Sequence, residues 1–249
     1  FKGTAMSGHV VTFGEVLLRF ATPGHRLTVQ CDALDMVVGG AEANVAAGLA
    51  SLGHAVRMLT RLPSSPLGDK ARAALGSAGV DTSHIALAQA AVAAADSAGV
   101  PICFDGNYRA LLWDAWDSDP RAILTDLMQS ATIMIGNHRD ISLLLGRAFS
   151  GDGSDRRREA AMAAFEAFPR LQLIASTARH VVNAGHHRIA ARIDAREGAH
   201  QTGEVDVTGI VDRIGTGDAF AAGVLHKWLE GADLVATAQA ALAYTVLKH

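Results

Sequence analysis

The chain has 249 residues, 49% of them apolar, which is enough to bury a sizeable core, and a single domain over 1–249 is the simplest organisation at this length. Its 22 Lys and Arg against 25 Asp and Glu leave a net charge of −3, without the broad basic field that a nucleic-acid partner needs, so small molecules are the expected partners. Two cysteines, Cys31 and Cys103, lie far apart without a metal-type spacing, which suits a reducing compartment and makes the cytoplasm the expected location.

Residues 1–5 precede Met6 and have neither the basic start nor the apolar centre of a signal peptide; they read as an expression scar before a natural start at Met6. Val10–Phe13 is a short apolar strand, and residues 16–20 extend a second one beyond Gly14-Glu15. Residues 43–52 place Ala and Leu at helical spacing and stop at Gly53, where a left-handed cap is inexpensive. Strand Val56–Leu59 follows, then a helix over 68–78 stopped by Gly79. Between Gly79 and a helix starting near Ala86 no strand is predicted, although the preceding helix should return to the sheet, so a segment is expected to be missing at Ile85–Ala86. An apolar strand over 100–104 follows a helix ending near Gly99. Ile133–Ile135 repeats the strand signal, 139–145 reads as helix, and Arg156-Arg157-Arg158 opens a helix to Phe168 with a charged, solvated face. A strand over 171–175 and helices over 217–229 and 234–247 complete the pattern. Such alternation predicts a mostly parallel sheet covered by helices on both faces. The Ala-rich stretches 86–95 and 236–247 are too short and weakly apolar to span a bilayer, so no membrane partner is expected.

The most informative segment is Gly215-Thr216-Gly217-Asp218, a glycine-rich turn that follows Asp212-Arg213-Ile214 and runs straight into an amphipathic helix. A helix start presents unpaired N–H groups and the positive end of the macrodipole, and glycines let the backbone close around an anion there. An Asp in that position repels a phosphate, but facing a hydroxyl it can accept the proton while Gly215, Thr216 and Gly217 act as an anion hole. A lone match of this kind is as readily a helix cap. Two further segments keep it company. Gly39-Gly40 stand just before a helix that carries Asn44 one turn in, where a carboxamide can bind hydroxyls of a ligand lying against the glycines. Asp105-Gly106-Asn107-Tyr108-Arg109 lies beyond the carboxyl end of a strand, where open parallel sheets bind ligands, and Arg109 can hold a carboxylate or phosphate. Taken alone, each of these two is more economically a tight turn with a surface arginine; all three in this order are not.

These residues carry a resemblance. Gly39-Gly40-Ala41 with Asn44 and Ala46, the Asp105-Gly106-Asn107-Tyr108-Arg109 strand end and Gly215-Thr216-Gly217-Asp218-Ala219-Phe220 resemble the ribokinase-like (phosphofructokinase-B) carbohydrate kinases over almost the whole chain. Within that family, Gly14-Glu15, Leu112-Trp113 after Arg109, and Asp212-Arg213 before the last motif are most similar to 2-keto-3-deoxygluconate kinases. The resemblance implies a three-layer αβα sandwich with a mostly parallel central sheet. It also implies transfer of the γ-phosphate of ATP to the 6-hydroxyl of a sugar acid, with Asp218 as base and Mg2+ bridging the phosphates. Gly39, Gly40, Asn44 and Arg109 would line the sugar site. Asn107, Tyr108, Arg109, Ser176 and Arg179 would lie near the nucleotide.

Three departures accompany the resemblance. By the resemblance the family's lid is expected between Ile85 and Ala86 and is missing there, deleted or omitted, and the ending at Leu247-Lys248-His249 is expected to stop short of the family's last elements. The family's magnesium-organising Asn-x-x-Glu is Asn137-His138-Arg139-Asp140, in which Asp140 would act on Mg2+ through water. The nucleotide loop, Ser176-Thr177-Ala178-Arg179-His180, contains no glycine. A kinase of a neutral sugar or nucleoside, or a sugar- or nucleotide-binding sensor on the same fold, therefore stays open, as does a homo-oligomer. The 11 histidines, including His186-His187, show no zinc-type spacing and read as surface or core residues.

Overall fold

The computed structural model describes residues 9–24, 26–60, 62–63, 65–82, 95, 97–106, 108, 119–183, 185–210 and 214–249. The expected break at Ile85–Ala86 lies outside the described residues, as do Asn107, Arg109, Leu112, Trp113, Asp212 and Arg213.

Short β-branched and apolar runs build the sheet. Strands β1 (Val10–Phe13), β4 (Val56–Leu59) and β5 (Val80–Asp81) pair in parallel in the order β1-β4-β5. β5 corrects the expectation that no strand follows Gly79: it is only two residues long, too short to leave a period in the sequence. A second block joins β6 (Cys103–Asp105), β7 (Ile133–Ile135) and β8 (Leu173–Asn183) in parallel. From β8 the chain doubles back as β9 (His186–Ala195), which pairs antiparallel with β8, with β10 (Ala199–Gln201) and with β11 (Val205–Thr208). β2 (Leu17–Ala21) and β3 (Asp35–Gly39) form a separate antiparallel pair. Among the described residues no strand joins β1 to β6, and Val11 and Phe13 of β1 are 52% and 44% exposed.

Alternation along β7 shows the layering. Ile133 and Ile135 enter a core shared with helices α1 (Ala41–Ser51), α6 (Thr216–Leu229) and α7 (Leu234–Lys248). Met134, between them, enters a second core with α3 (Pro120–Gln129), α4 (His138–Leu145) and α5 (Gly153–Ala167). Leu173 and Ala175 of β8 repeat the first pattern and Ile174 the second, so both faces of the strand are buried, as a helix-covered parallel sheet requires. Each wholly buried Ile or Leu contributes roughly 1.5–3 kcal/mol. Helix α2 (Pro66–Ser77) adds Leu75 to the first core. It begins two residues before the expected start because Ser65 caps it and Pro66 suits the first turn. The result is the αβα sandwich expected from the sequence.

Candidate active site

Two helix starts are brought to one spot. At the first, Gly40 has φ 128, and a β-carbon there would stand 2.5 Å from the Glu15 carbonyl oxygen, so only glycine lets β3 turn into α1. At the second, Gly215 has φ 84 and caps α6; Ala219 N–H donates to its carbonyl at 2.9 Å. The N–H groups of that first turn point out of the helix end, which is the geometry an anion needs. Gly48 of α1 lies against the Ala222 methyl of α6, with 3.0 Å between that methyl and the place a β-carbon would occupy, which lets the helices approach closely.

That approach joins residues far apart in sequence. Asn44 Nδ2 donates to Asp218 Oδ2 at 2.6 Å, with both side chains half-buried. A β-carbon built on Gly215 would lie 3.2 Å from Lys248 Cε, 3.6 Å from Asn44 Nδ2 and 3.7 Å from Asp218 Oδ2, so three side chains converge over the turn. Glu42, in the first turn of α1, folds its side chain across Gly14. Burial pushes the Glu42 carboxyl above its usual range, bonds to backbone N–H groups oppose that, and the charges of Glu15 and Asp218 add to the rise.

On the other side of the Gly215 turn lies a cavity of about 470 Å³. Thr216 and Gly217 form one wall, Asn137, His138 and Arg139 at the start of α4 another, and Ser176 to Arg179 of β8 a third. Arg192 and Asp194 of β9 line it from below, both almost wholly buried. Asn137 caps α4, with its Oδ1 accepting from Arg139 N–H at 2.9 Å, while Asp140 Oδ2 accepts from Asn137 N–H at 2.8 Å. Asp140 packs between two strand ends: β-carbons on Gly106 and Gly136 would lie 2.9 Å from its Cγ and 3.2 Å from its Oδ2. Burial raises the Asp140 carboxyl, and the bonds from backbone N–H groups oppose it.

Among the described residues no cluster of three or more His, Cys, Asp or Glu could hold a metal on its own. Mg2+, however, is commonly held by one or two carboxylates together with waters and substrate phosphates. Asp140 fits that manner of binding: its Oδ2 is engaged as a cap, while Oδ1 faces Gly106 just beyond β6.

The structure thus brings together Gly39, Gly40, Asn44, Gly215, Thr216, Gly217 and Asp218, and places Ser176 and Arg179 on the same cavity as Thr216 and Gly217. Tyr108 is half-buried beyond β6. Glu42, Lys248, His138, Arg139, Arg192 and Asp194 were not singled out by sequence. For Arg192 and Asp194 a signal existed, since two opposite charges two apart within the apolar end of a strand, residues 189–195, mark one face of that strand.

Residues 7–91 and 85–248 match the model of the pfkB family of carbohydrate kinases, in two pieces that meet at 85–91. The chain belongs to that family, whose members are phosphotransferases with an alcohol group as acceptor. It is 26% identical over 305 residues to a 2-dehydro-3-deoxygalactonokinase of Haloferax volcanii, covering 96% of this chain and 89% of the relative. The crystal structure of a 2-dehydro-3-deoxygluconokinase from Thermotoga maritima superposes with a TM-score of 0.88 at 27% identity, covering 97% of this chain and 93% of that one. A PfkB family carbohydrate kinase from Listeria grayi superposes with a TM-score of 0.85 at 25% identity, covering 97% and 94%.

Proposed function

We propose that the protein phosphorylates the 6-hydroxyl of 2-keto-3-deoxygluconate, or a closely similar sugar acid, at the expense of ATP. The observation that carries this reading is the placement of Asp218 in the first turn of α6, beyond a left-handed Gly215 and beside Asn44 of α1. A carboxylate there can take the proton from an incoming hydroxyl while the N–H groups of Gly215, Thr216 and Gly217 stabilise the charge on the transferring phosphoryl group. Gly39 and Gly40 offer a bare backbone edge to a polyol, with Asn44 beside it. Ser176 and Arg179 take the nucleotide side of the cavity; the family resemblance assigns Asn107, Tyr108 and Arg109 to the nucleotide as well and Arg109 also to the substrate, with Asn107 and Arg109 outside the described residues. Mg2+, held through water by Asp140, would neutralise phosphate charge. The names of the Haloferax and Thermotoga relatives favour a 2-keto-3-deoxy sugar acid over a neutral sugar.

The test is ATP consumption over a panel of 2-keto-3-deoxygluconate, 2-keto-3-deoxygalactonate, fructose and ribose, run on the protein and on Asp218→Asn. The acids should be phosphorylated in preference, and the variant should keep sugar and ATP binding while losing roughly 10²–10⁴-fold in kcat. Equal rates on neutral sugars would move the substrate class; an unimpaired variant would move the base; binding without turnover by the intact protein would make it a sensor.

A further inference from the structure

We infer that Asn44 is a positioning residue for the base, holding the Asp218 carboxylate through its amide NH2 while its carbonyl oxygen faces the Gly39 edge; this rests on the kinase reading above. The bond is short, at 2.6 Å, and spans 174 residues of sequence. A carboxylate only accepts, so the NH2 end of the amide is the only end that can face an ionised Asp218. A donor at this distance fixes the carboxylate's rotation and favours its ionised form, the form that can take a proton.

The surroundings make that contribution matter. Glu42 from α1 is the acidic neighbour: the charge of Asp218 is among those that raise its carboxyl, as is that of Glu15 from the turn after β1. Charge repulsion is mutual, so an ionised Glu42 disfavours the ionised form of the base. Lys248 from α7 extends its side chain over the Gly215 turn. Asn44 adds a direct donor to that balance.

Its own placement is rigid. The Asn44 N–H donates to the Gly40 carbonyl at 2.8 Å, which fixes its backbone one turn into α1, and the Gly48–Ala222 contact sets the spacing of α1 and α6. Asn44 Oδ1 lies 3.9 Å from where a β-carbon on Gly39 would stand. A hydroxyl bound against Gly39 would therefore sit within reach of the oxygen of the same amide whose nitrogen holds the base. One side chain ties occupancy of the sugar edge to the orientation of the carboxylate.

The experiment titrates Asp218 directly, by 13C NMR of labelled aspartate with the resonance assigned by its loss in Asp218→Asn. It compares the protein with Asn44→Ala and the isosteric Asn44→Asp, each checked for folding by circular dichroism. The pH profile of kcat with a 2-keto-3-deoxy sugar acid is measured alongside. In Asn44→Ala, Asp218 should titrate at higher pH, the acid limb of kcat should move the same way, and kcat should fall about ten- to hundredfold with a smaller change in sugar KM. Asn44→Asp, which puts a like charge against the base, should shift both further. An Asp218 titration unmoved in folded variants overturns the inference, as does a rise in sugar KM with kcat and its pH limb unchanged. If no sugar is phosphorylated at all, the kinase reading fails, and the titration still decides whether Asn44 sets the state of Asp218.

Discussion

Arg192 and Asp194, two residues apart on β9, face the same way and form a forked ion pair of 2.7 and 2.9 Å beneath the cavity. Arg192 also donates to Ser154 Oγ at 3.0 Å, and Arg158 reaches Asp194 Oδ1 at 3.2 Å and the Ala195 carbonyl at 2.6 Å. Removing one partner leaves a buried charge without its counter-charge. Asp194→Asn should therefore destabilise the protein by about 3–5 kcal/mol, read as a lower urea midpoint, whereas a volume-matched apolar replacement of both residues should cost far less. A single variant as stable as the parent would show that the pair contributes nothing net.

Glu42 gives a pH-dependent prediction. Its folded-state carboxyl is raised above the usual 4.5, mainly by burial, so the folded protein holds that proton more tightly than the unfolded chain. Stability from this group is full below pH 4.5 and is lost as pH rises through the higher folded value. Glu42→Gln, which keeps an acceptor for the backbone, should raise Tm at pH 7–8, and the gain should vanish below about pH 4.5. Thermal melts across that range check the sign; a gain that persists at low pH would tie the effect to packing instead of charge.

Arg179 tests the nucleotide side. It is exposed at the cavity wall opposite Thr216 and Gly217. Arg179→Ala should raise KM for ATP about tenfold, as loss of one charged hydrogen bond does, and leave sugar KM within a factor of two or so. A change confined to sugar KM would place the sugar acid on that wall.

Much of this was legible in the sequence because it rests on local rules. Helical spacing in α1, α6 and α7 and the apolar strands β1, β4 and β7 leave a period, and glycine before a helix marks Gly40 and Gly215. What escaped depends on tertiary pairing. β3 pairs only with β2, apart from the main sheet, and β9 carries His187, Arg192 and Asp194 among its buried positions, breaking any long apolar run. At the site, the glycines and Asp218 are signalled by turn chemistry. The bond from Asn44 to Asp218 is not, because nothing local says that α1 and α6 lie side by side. Glu42 is equally silent in sequence, since its burial follows from the absence of a side chain at Gly14.

The span from Asn44 to Asp218 also bears on how the protein comes into being. At roughly 5–20 residues per second of synthesis, Asn44 leaves the ribosome on the order of ten to thirty seconds before Asp218 can meet it. For that interval the emerging amino-terminal layer, with α1 folded or not, lacks the base proposed above. Under the proposed mechanism, competence to react arrives late and all at once, when α6 docks on α1, so a half-made chain would neither bind the sugar productively nor turn over nucleotide.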